Sequence, residues 1–293
     1  MENNFDNQII LGDCLNEMKK MNDNHFDLVI ADPPYFKVVS EKWDYQWRTE
    51  DDYIKWCVKW FNEIYRILRF GGTFYLFGYF RTLALMVRPL LDIGFDLRQQ
   101  IIINKGMQSV AGRATKNYKM YPNVTESILF LTKKNITFSR SFLKEQQKKC
   151  GLSSKEINEQ LGVKSNGGGM WSIYTGRNIC EQFPTKDLWE KLKSILKFDL
   201  EYEKVAQTFN TEMGITDVWD DISFIKEKRY HPTQKPQSLI KRLVQVSSNA
   251  GDRVLDPFAG SGSTYIACKE LQRIPTTIEI DKTYVNSLLN RNI

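Results

Sequence analysis

The chain has 293 residues, a formal net charge of +6 and 42% hydrophobic residues, enough for one large domain, or one domain with a substantial insertion, whose core needs no disulfide framework. Its five cysteines (Cys14, Cys57, Cys150, Cys180, Cys268) are scattered and form no C-x-x-C pair, which excludes a zinc ribbon or a secreted scaffold and fits a reducing setting. Met1 is not followed by a basic leader and an apolar run, and no stretch is long enough to span a bilayer, so a soluble cytoplasmic protein with no membrane partner is expected.

Gln8 to Leu11 and Phe26 to Ala31 are short apolar runs ending at Gly12-Asp13 and at Asp32-Pro33-Pro34-Tyr35. Both read as buried strands with functional groups at their carboxyl ends. Between Thr49 and Arg69, the apolar residues Ile54, Val58, Phe61, Tyr65 and Leu68 draw one stripe down a helix. Thr49 and Asp52 can cap that helix, and Gly71-Gly72 is expected to stop it. Thr73 to Phe77 then reads as a strand, Thr82 to Asp92 as a helix closed by Gly94, and Leu97 to Asn104 and Thr125 to Leu131 as further strands. Strands alternating with helices predict a layered α/β fold.

From Lys133 to Asn210 the character changes, with 14 Lys and Arg against 9 Asp and Glu and a Gly167-Gly168-Gly169 run that breaks regular structure. This reads as an inserted lobe. Ser153 and Glu156 offer a capping box for one short helix, and Thr185 can cap a second through Leu196. The pair is compatible with a helix-turn-helix, although two short helices about a glycine also serve as plain scaffold. Asn104 to Asn123 holds Lys105, Arg113, Lys116 and Lys119 with no acidic residue, a local excess that suits a polyanion such as DNA. Pro236 then opens a helix marked by Leu239, Ile240, Leu243 and Val244 that ends near Gly251. Val254 to Asp256 and Thr277 to Ile280 close the series as buried strands.

Two of these strand ends carry chemistry. Asp256, Phe258, Gly260, Gly262 and Thr264 belong to a strand, glycine turn and helix start, where glycines take positive φ and let backbone approach a ligand. A glycine pair also makes a tight connection that binds nothing, so the informative feature is Glu279, 19 residues after Gly260 at the end of the next strand. A carboxylate there can accept both ribose hydroxyls of a nucleoside. The loop lacks the third glycine of a dinucleotide fingerprint and the Gly-Lys-Ser/Thr of a phosphate loop, which favours S-adenosylmethionine, a nucleoside cofactor without a pyrophosphate.

In Asp32-Pro33-Pro34-Tyr35, consecutive prolines make a rigid extended turn and remove two N–H donors. The turn is built to accept hydrogens. An exocyclic amine offers two, and accepting them on the Asp32 carboxylate and the Pro33 carbonyl would make its nitrogen more tetrahedral and nucleophilic. Tyr35 offers a face on which an extruded base can stack. Carbon-5 methylation of cytosine would need a thiolate, usually after proline, and no cysteine here follows one.

With these motifs in place the chain resembles the amino methyltransferases of bacterial restriction-modification systems, in the circularly permuted order called the beta group. The tetrapeptide comes first, a variable stretch follows, then His231-Pro232-Thr233-Gln234-Lys235-Pro236, and the cofactor loop comes last. The resemblance implies a Rossmann-like, class I S-adenosylmethionine-dependent fold with a seven-stranded sheet. Residues 1–132 would form the catalytic half, 133–210 an inserted target-recognition region, and 211–293 the cofactor half. It also implies that Thr233 and Lys235 contact the methionine portion of the cofactor and that Asp13 lies near its adenine. Asp at the first tetrapeptide position favours adenine N6 over cytosine N4. Double-stranded DNA is the implied partner, with a homodimer and a cognate restriction endonuclease beside it. Cytosine-N4 methylation, RNA methylation and a catalytically silent nucleic-acid-binding protein are the competing readings.

Overall fold

The computed structural model describes residues 5–37, 45–106, 121–162, 169–176, 181–211, 213–224 and 234–291. It divides into two compact units, Met1–Lys133 with Thr208–Ile293, and Lys134–Gln207.

The first unit is built on β1 (Gln8–Leu11), α1 (Cys14–Met18), β2 (Phe26–Ala31), α2 (Glu50–Ile67), β3 (Leu68–Gly78), α3 (Phe80–Ile93), β4 (Phe95–Asn104) and β5 (Thr125–Lys133). The second unit holds α4 (Asn135–Cys150), α5 (Ser154–Gln160), α6 (Gly169–Tyr174) and α7 (Lys186–Leu196). The first unit then resumes with β6 (Val218–Trp219), α8 (Gln237–Ser247), β7 (Arg253–Asp256), α9 (Ser263–Glu270), β8 (Ile274–Glu279) and α10 (Lys282–Leu289).

One sheet of eight strands runs in the order β1-β8-β7-β2-β3-β5-β4-β6 among the described residues. The seven strands implied by the resemblance are thus joined at the edge by the two-residue β6, which lies parallel to β4. The strands from β1 to β3 are parallel, and β5 runs antiparallel to both β3 and β4. Apolar runs without alternation suit strands covered on both faces. In β2, Val29 and Ala31 face one core with Trp60, Phe61, Phe74 and Leu90, while Leu28 and Ile30 face another with Leu239, Leu243 and Val244.

Thr49 caps α2 through the expected box, accepting from the Asp52 amide at 3.1 Å while Asp52 accepts from the Thr49 amide at 3.3 Å. Gly71-Gly72 does not stop the helix as expected. The chain turns extended at Leu68 and enters β3 at once. Phe26 pairs with Leu68 but Leu28 with Thr73, so Arg69 to Gly72 form a bulge, and Gly71 takes the positive φ of 77° there. Inside it the Arg69 guanidinium donates to Asp27 at 2.5 Å, and the other Asp27 oxygen accepts from the Arg253 amide at 2.8 Å. The two glycines therefore shape a strand around a largely buried ion pair.

The second unit has its own core, in which Leu143, Ile157, Trp171, Trp189, Leu192 and Leu196 meet. Ser153 and Glu156 form the expected capping box on α5. Thr185 stands at the N-cap of α7, but its hydroxyl makes no cap hydrogen bond. The helix-turn-helix reading is corrected here. Helix α6 intervenes in the chain, α5 packs on α6, and α7 packs on α4.

Replacing Arg69 with Met would leave the Asp27 carboxylate short of its cation in a poorly hydrated place. The expected loss is about 3 kcal/mol of unfolding free energy by urea titration, the usual scale for breaking one partner of a buried pair. A variant as stable as the parent would show the pair to be ornamental.

Candidate functional site

The parallel register brings Leu11, Ala31, Asp256 and Glu279 to one edge of the sheet. Open α/β sheets place ligands beyond this carboxyl edge. Here a cavity of about 320 Å³ is lined by Asp13, Asp32 to Tyr35, Lys235, Asp256, Phe258, Gly260, Thr264 and Glu279, with Trp56, Phe77 and Tyr284 among its walls.

On one side lies the glycine loop. Asp256 accepts from the Phe258 amide at 2.9 Å and from the Thr264 hydroxyl at 2.6 Å, locking both ends of the turn. Burial pushes the Asp256 carboxyl up to about 7, against the lowering effect of those two hydrogen bonds. Glu279 accepts from the Gly260 amide at 2.7 Å on one oxygen and from the Asp281 amide at 2.8 Å on the other. Each carboxylate oxygen retains a lone pair after one such bond, so the group is oriented and can still accept two hydroxyls. Gly260 lines the cavity, whereas Gly262 does not. Gly262 has a φ of 83°, and a Cβ there would overlap the Leu288 side chain, so it serves the packing of the loop on α10. Asp13 lines the cavity and also caps α1, accepting from the Asn16 amide at 3.0 Å. Phe258 packs against Trp60 and Trp56 at 5.1 and 5.9 Å between ring centroids.

On the other side the tetrapeptide leaves β2. The Tyr53 hydroxyl donates to the Pro34 carbonyl at 2.9 Å, fixing the turn. Asp32 accepts from the Tyr35 hydroxyl at 2.7 Å and from the Lys235 ammonium at 2.5 Å. The same ammonium lies 3.0 Å from Glu126, which also accepts from the Tyr35 hydroxyl at 3.2 Å. Lys235 therefore bridges two carboxylates, set 5.1 Å from the Phe77 ring centroid and 5.6 Å from that of Tyr35. Burial opposes its charge, yet the two carboxylates more than compensate and raise it above the ordinary lysine range. Burial raises the Asp32 carboxyl, with Lys235 pulling it back only in part, and burial with the flanking carboxylates lifts the Tyr35 phenol well above its usual value. Burial would raise Glu126 too, but the Lys235 and Lys105 ammoniums hold it below the ordinary range.

Among the expected DNA contacts, Lys105 stands 3.7 Å from Glu126 and 5.9 Å from the Phe224 ring centroid, tucked beside this cluster. Arg113, Lys116, Lys119 and Thr233 lie outside the described residues. Sequence reasoning missed Glu126. It starts β5, and because β5 is antiparallel to β3, with Ser127 opposite Gly78, its amino end reaches the edge where the parallel strands finish. A carboxylate opening an otherwise apolar strand was the available signal. Among the described residues no His, Cys, Asp and Glu group could hold a metal, and no helix is long and apolar enough to cross a membrane.

The sequence model of the N6_N4_Mtase family, described as DNA methylase, matches residues 26–290. The chain belongs to this family. As a DNA methylase it is similar to the Type II methyltransferase M.HpaI of Haemophilus parainfluenzae, 26% identical over 98% of this chain and 74% of that one. It is also similar to the DNA adenine methyltransferase YhdJ of Escherichia coli K12, 27% identical over 97% of this chain and 81% of that one. Among solved structures, the M1.HpyAVI complex with S-adenosylmethionine shares the fold at a TM-score of 0.56 and 20% identity, covering 97% of this chain and 98% of that one. The cytosine-N4-specific PvuII methyltransferase does so at 0.61 and 14%, covering 98% of this chain and 87% of that one.

The methyl donor of this DNA methylase is S-adenosylmethionine, and the residues present suit it. Glu279 is an oriented carboxylate that could accept two hydroxyls such as those of a ribose, Gly260 lines the wall beside it, and the same cavity reaches Asp32.

Asp256 supplies a test of the loop. Its carboxyl binds a proton more tightly in the folded chain than in the unfolded one, so this contribution to stability is complete below the ordinary 3.8 and is lost as pH rises through about 7. Asp256→Asn removes that term. Thermal unfolding at a series of pH values across this window should show the variant losing less stability with rising pH than the parent; parallel curves would reject the assignment.

Proposed function

We propose that this DNA methylase transfers the methyl of S-adenosylmethionine to N6 of an adenine drawn out of duplex DNA, at a site built from Asp32 to Tyr35. The observation that carries the reading is a single cavity with the Asp32 turn at one end and the Glu279 acceptor at the other. Asp at the head of the tetrapeptide supports adenine as the base. So does YhdJ, whose name specifies adenine.

When bound, S-adenosylmethionine supplies an electrophilic methyl group on a sulfonium. The chain's own residues act on the acceptor. The Asp32 carboxylate and the Pro33 carbonyl accept the two amino hydrogens, which withdraws the nitrogen lone pair from the ring and turns it toward the methyl. As the new N–C bond forms, the methyl's bond to the sulfonium sulfur would break and leave a neutral thioether, while Asp32 takes the proton that the nitrogen must shed. Tyr35, tethered through its hydroxyl and packed edge-on against Tyr79 at 5.4 Å, is an already ordered aromatic surface for the extruded base. Bases inside a duplex cannot reach such a recess, so extrusion is part of the reading. Phe258 and Asp13 line the cofactor end, and Lys235 acts from the catalytic end through Asp32.

The unit Lys134–Gln207 is assigned the grip on DNA and the reading of its sequence. Its net positive charge supports this, although Lys149, Lys186 and Lys193 are paired with acids inside the unit. The Type II name of M.HpaI supports a cognate restriction endonuclease as a genetic partner, and a DNA substrate favours a cytoplasmic location.

Incubation with labelled S-adenosylmethionine and mixed-sequence DNA, followed by digestion to nucleosides, should yield N6-methyladenine; labelled N4-methylcytosine would overturn the base assignment, and label in RNA alone would overturn the substrate. Asp32→Ala should abolish transfer and leave cofactor binding within about twofold by calorimetry. Loss of both in a folded variant would contradict the division of the cavity. Phosphate contacts by a basic unit release counterions, so DNA affinity measured by anisotropy should fall at least about tenfold between roughly 50 and 200 mM salt. A flat response would remove the basic unit as the grip.

A further inference from the structure

Both oxygens of Asp32 are already engaged. One takes the Tyr35 hydroxyl at 2.7 Å and the other the Lys235 ammonium at 2.5 Å. Each oxygen keeps a lone pair, but Asp32, unlike Glu279 with its two neutral amide donors, holds a charge-assisted bond to an ammonium that draws off the electron density the amine hydrogens need, so it is a weakened acceptor while Lys235 stays on it. The arrangement therefore requires somewhere for these two donors to go.

One atom answers that requirement. Glu126 Oε1 lies 3.0 Å from the Lys235 ammonium and 3.2 Å from the Tyr35 hydroxyl. The other Glu126 oxygen faces Lys105 at 3.7 Å, and Ile103 pairs with Glu126 across the sheet, so the side chain is held with Oε1 toward the cluster. The Phe77 and Tyr35 rings flank the ammonium and let it turn between the carboxylates without leaving.

We propose that Glu126 is a positioning residue for methyl transfer: the Lys235 ammonium and the Tyr35 hydroxyl turn to it when a base amino group arrives, freeing Asp32 to accept the amino hydrogens. The inference rests on the adenine-N6 reading above and adds to it the device that makes Asp32 available. No bond to carbon is made or broken in this step; two hydrogen bonds change acceptor. The charge of the cluster is unchanged, since Lys235 stays beside a carboxylate throughout. Without Glu126, Lys235 has Asp32 as its remaining carboxylate and keeps it occupied.

The groups facing Asp32 and Glu126 are Lys235 before α8, Tyr35 after β2 and Lys105 after β4, with Tyr53 on α2 and Asp256 on β7 beyond them. Glu126→Gln removes one negative charge from this set. The like charge of Glu126 raises Asp32 and its removal tightens the pairing with Lys235, so the Asp32 carboxyl should ionise at lower pH.

The test compares the parent, Glu126→Gln and Glu126→Asp at saturating DNA and cofactor across a pH series, with S-adenosylmethionine affinity measured in parallel. In Glu126→Gln we expect kcat to fall about tenfold or more, the KM for DNA and the cofactor affinity to stay within about threefold, and the acid limb of the pH profile to move down. Glu126→Asp, which keeps the charge, should recover part of kcat. An unchanged kcat in Glu126→Gln, an unmoved acid limb, an aspartate variant no better than the glutamine one, or cofactor affinity lost in step with activity would each overturn the role. A parent protein that makes no N6-methyladenine would overturn the reading beneath it, which separates the two failures.

Discussion

The Lys235 ammonium, held between Asp32 and Glu126, ties together three segments that are remote in the chain. Asp32 leaves β2, Glu126 opens β5, and Lys235 precedes α8, 203 residues from Asp32. An isolated carboxylate in so apolar a recess would take up a proton, and a protonated Asp32 would present a donor where an amine hydrogen needs an acceptor. Two carboxylates around one ammonium are also costly to bury, so the cluster does not explain stability well. It fits the proposed reaction better, in which the acceptor at the head of the tetrapeptide would have to remain ionised.

That cluster can form only because the sheet is mixed. Along β1, β8, β7, β2 and β3 every carboxyl end faces the cavity, which delivers Asp13, Glu279, Asp256 and Asp32 to one edge. A further parallel strand would bring only its own carboxyl end. The antiparallel β5 instead delivers a residue from its beginning, and it supplies the second carboxylate. The bulge at Arg69 to Gly72 matters for the same reason. It absorbs the mismatch between β2 and β3 at the far end of the sheet, so that Ala31 still pairs with Leu76 beside the catalytic turn.

The sites at the ends of parallel strands were legible in the sequence because chemistry and structure coincide there in short segments. Asp32 follows an apolar run, Gly260 follows another, and Glu279 ends a third, so each could be placed from local pattern alone. Glu126 could not. Its importance depends on which way β5 runs, and strand direction is set by tertiary pairing. Gly71-Gly72 misled for a related reason: a helix stop and a strand bulge use the same residue type, and the deciding partner, Asp27, is 42 residues from Arg69. Gly262 matched a ligand-loop pattern, yet its missing Cβ makes room for Leu288. Lys235 was readable as a pocket residue, but its placement among the carboxylates needed the folded neighbourhood.

The two halves of the cavity are joined by a short contact. Strand β7 carries the glycine loop, β2 carries the tetrapeptide, and Leu28 and Val29 pair directly with Val254 and Leu255. One residue beyond that ladder β7 ends in Asp256, and three residues beyond it β2 has given way to the turn at Asp32. Asp256 raises no hydrogen bond toward Asp32; both its oxygens are spent on the loop, and its carboxyl is held up to about 7 by burial. A proton on Asp256 therefore lessens the negative charge facing Asp32, while Lys235 offsets it from the other side. The spacing between the two ends of the cavity is thereby a property of adjacent strands, and their electrostatic separation follows from which carboxylate is paired with the lysine and which is tied to the glycine loop.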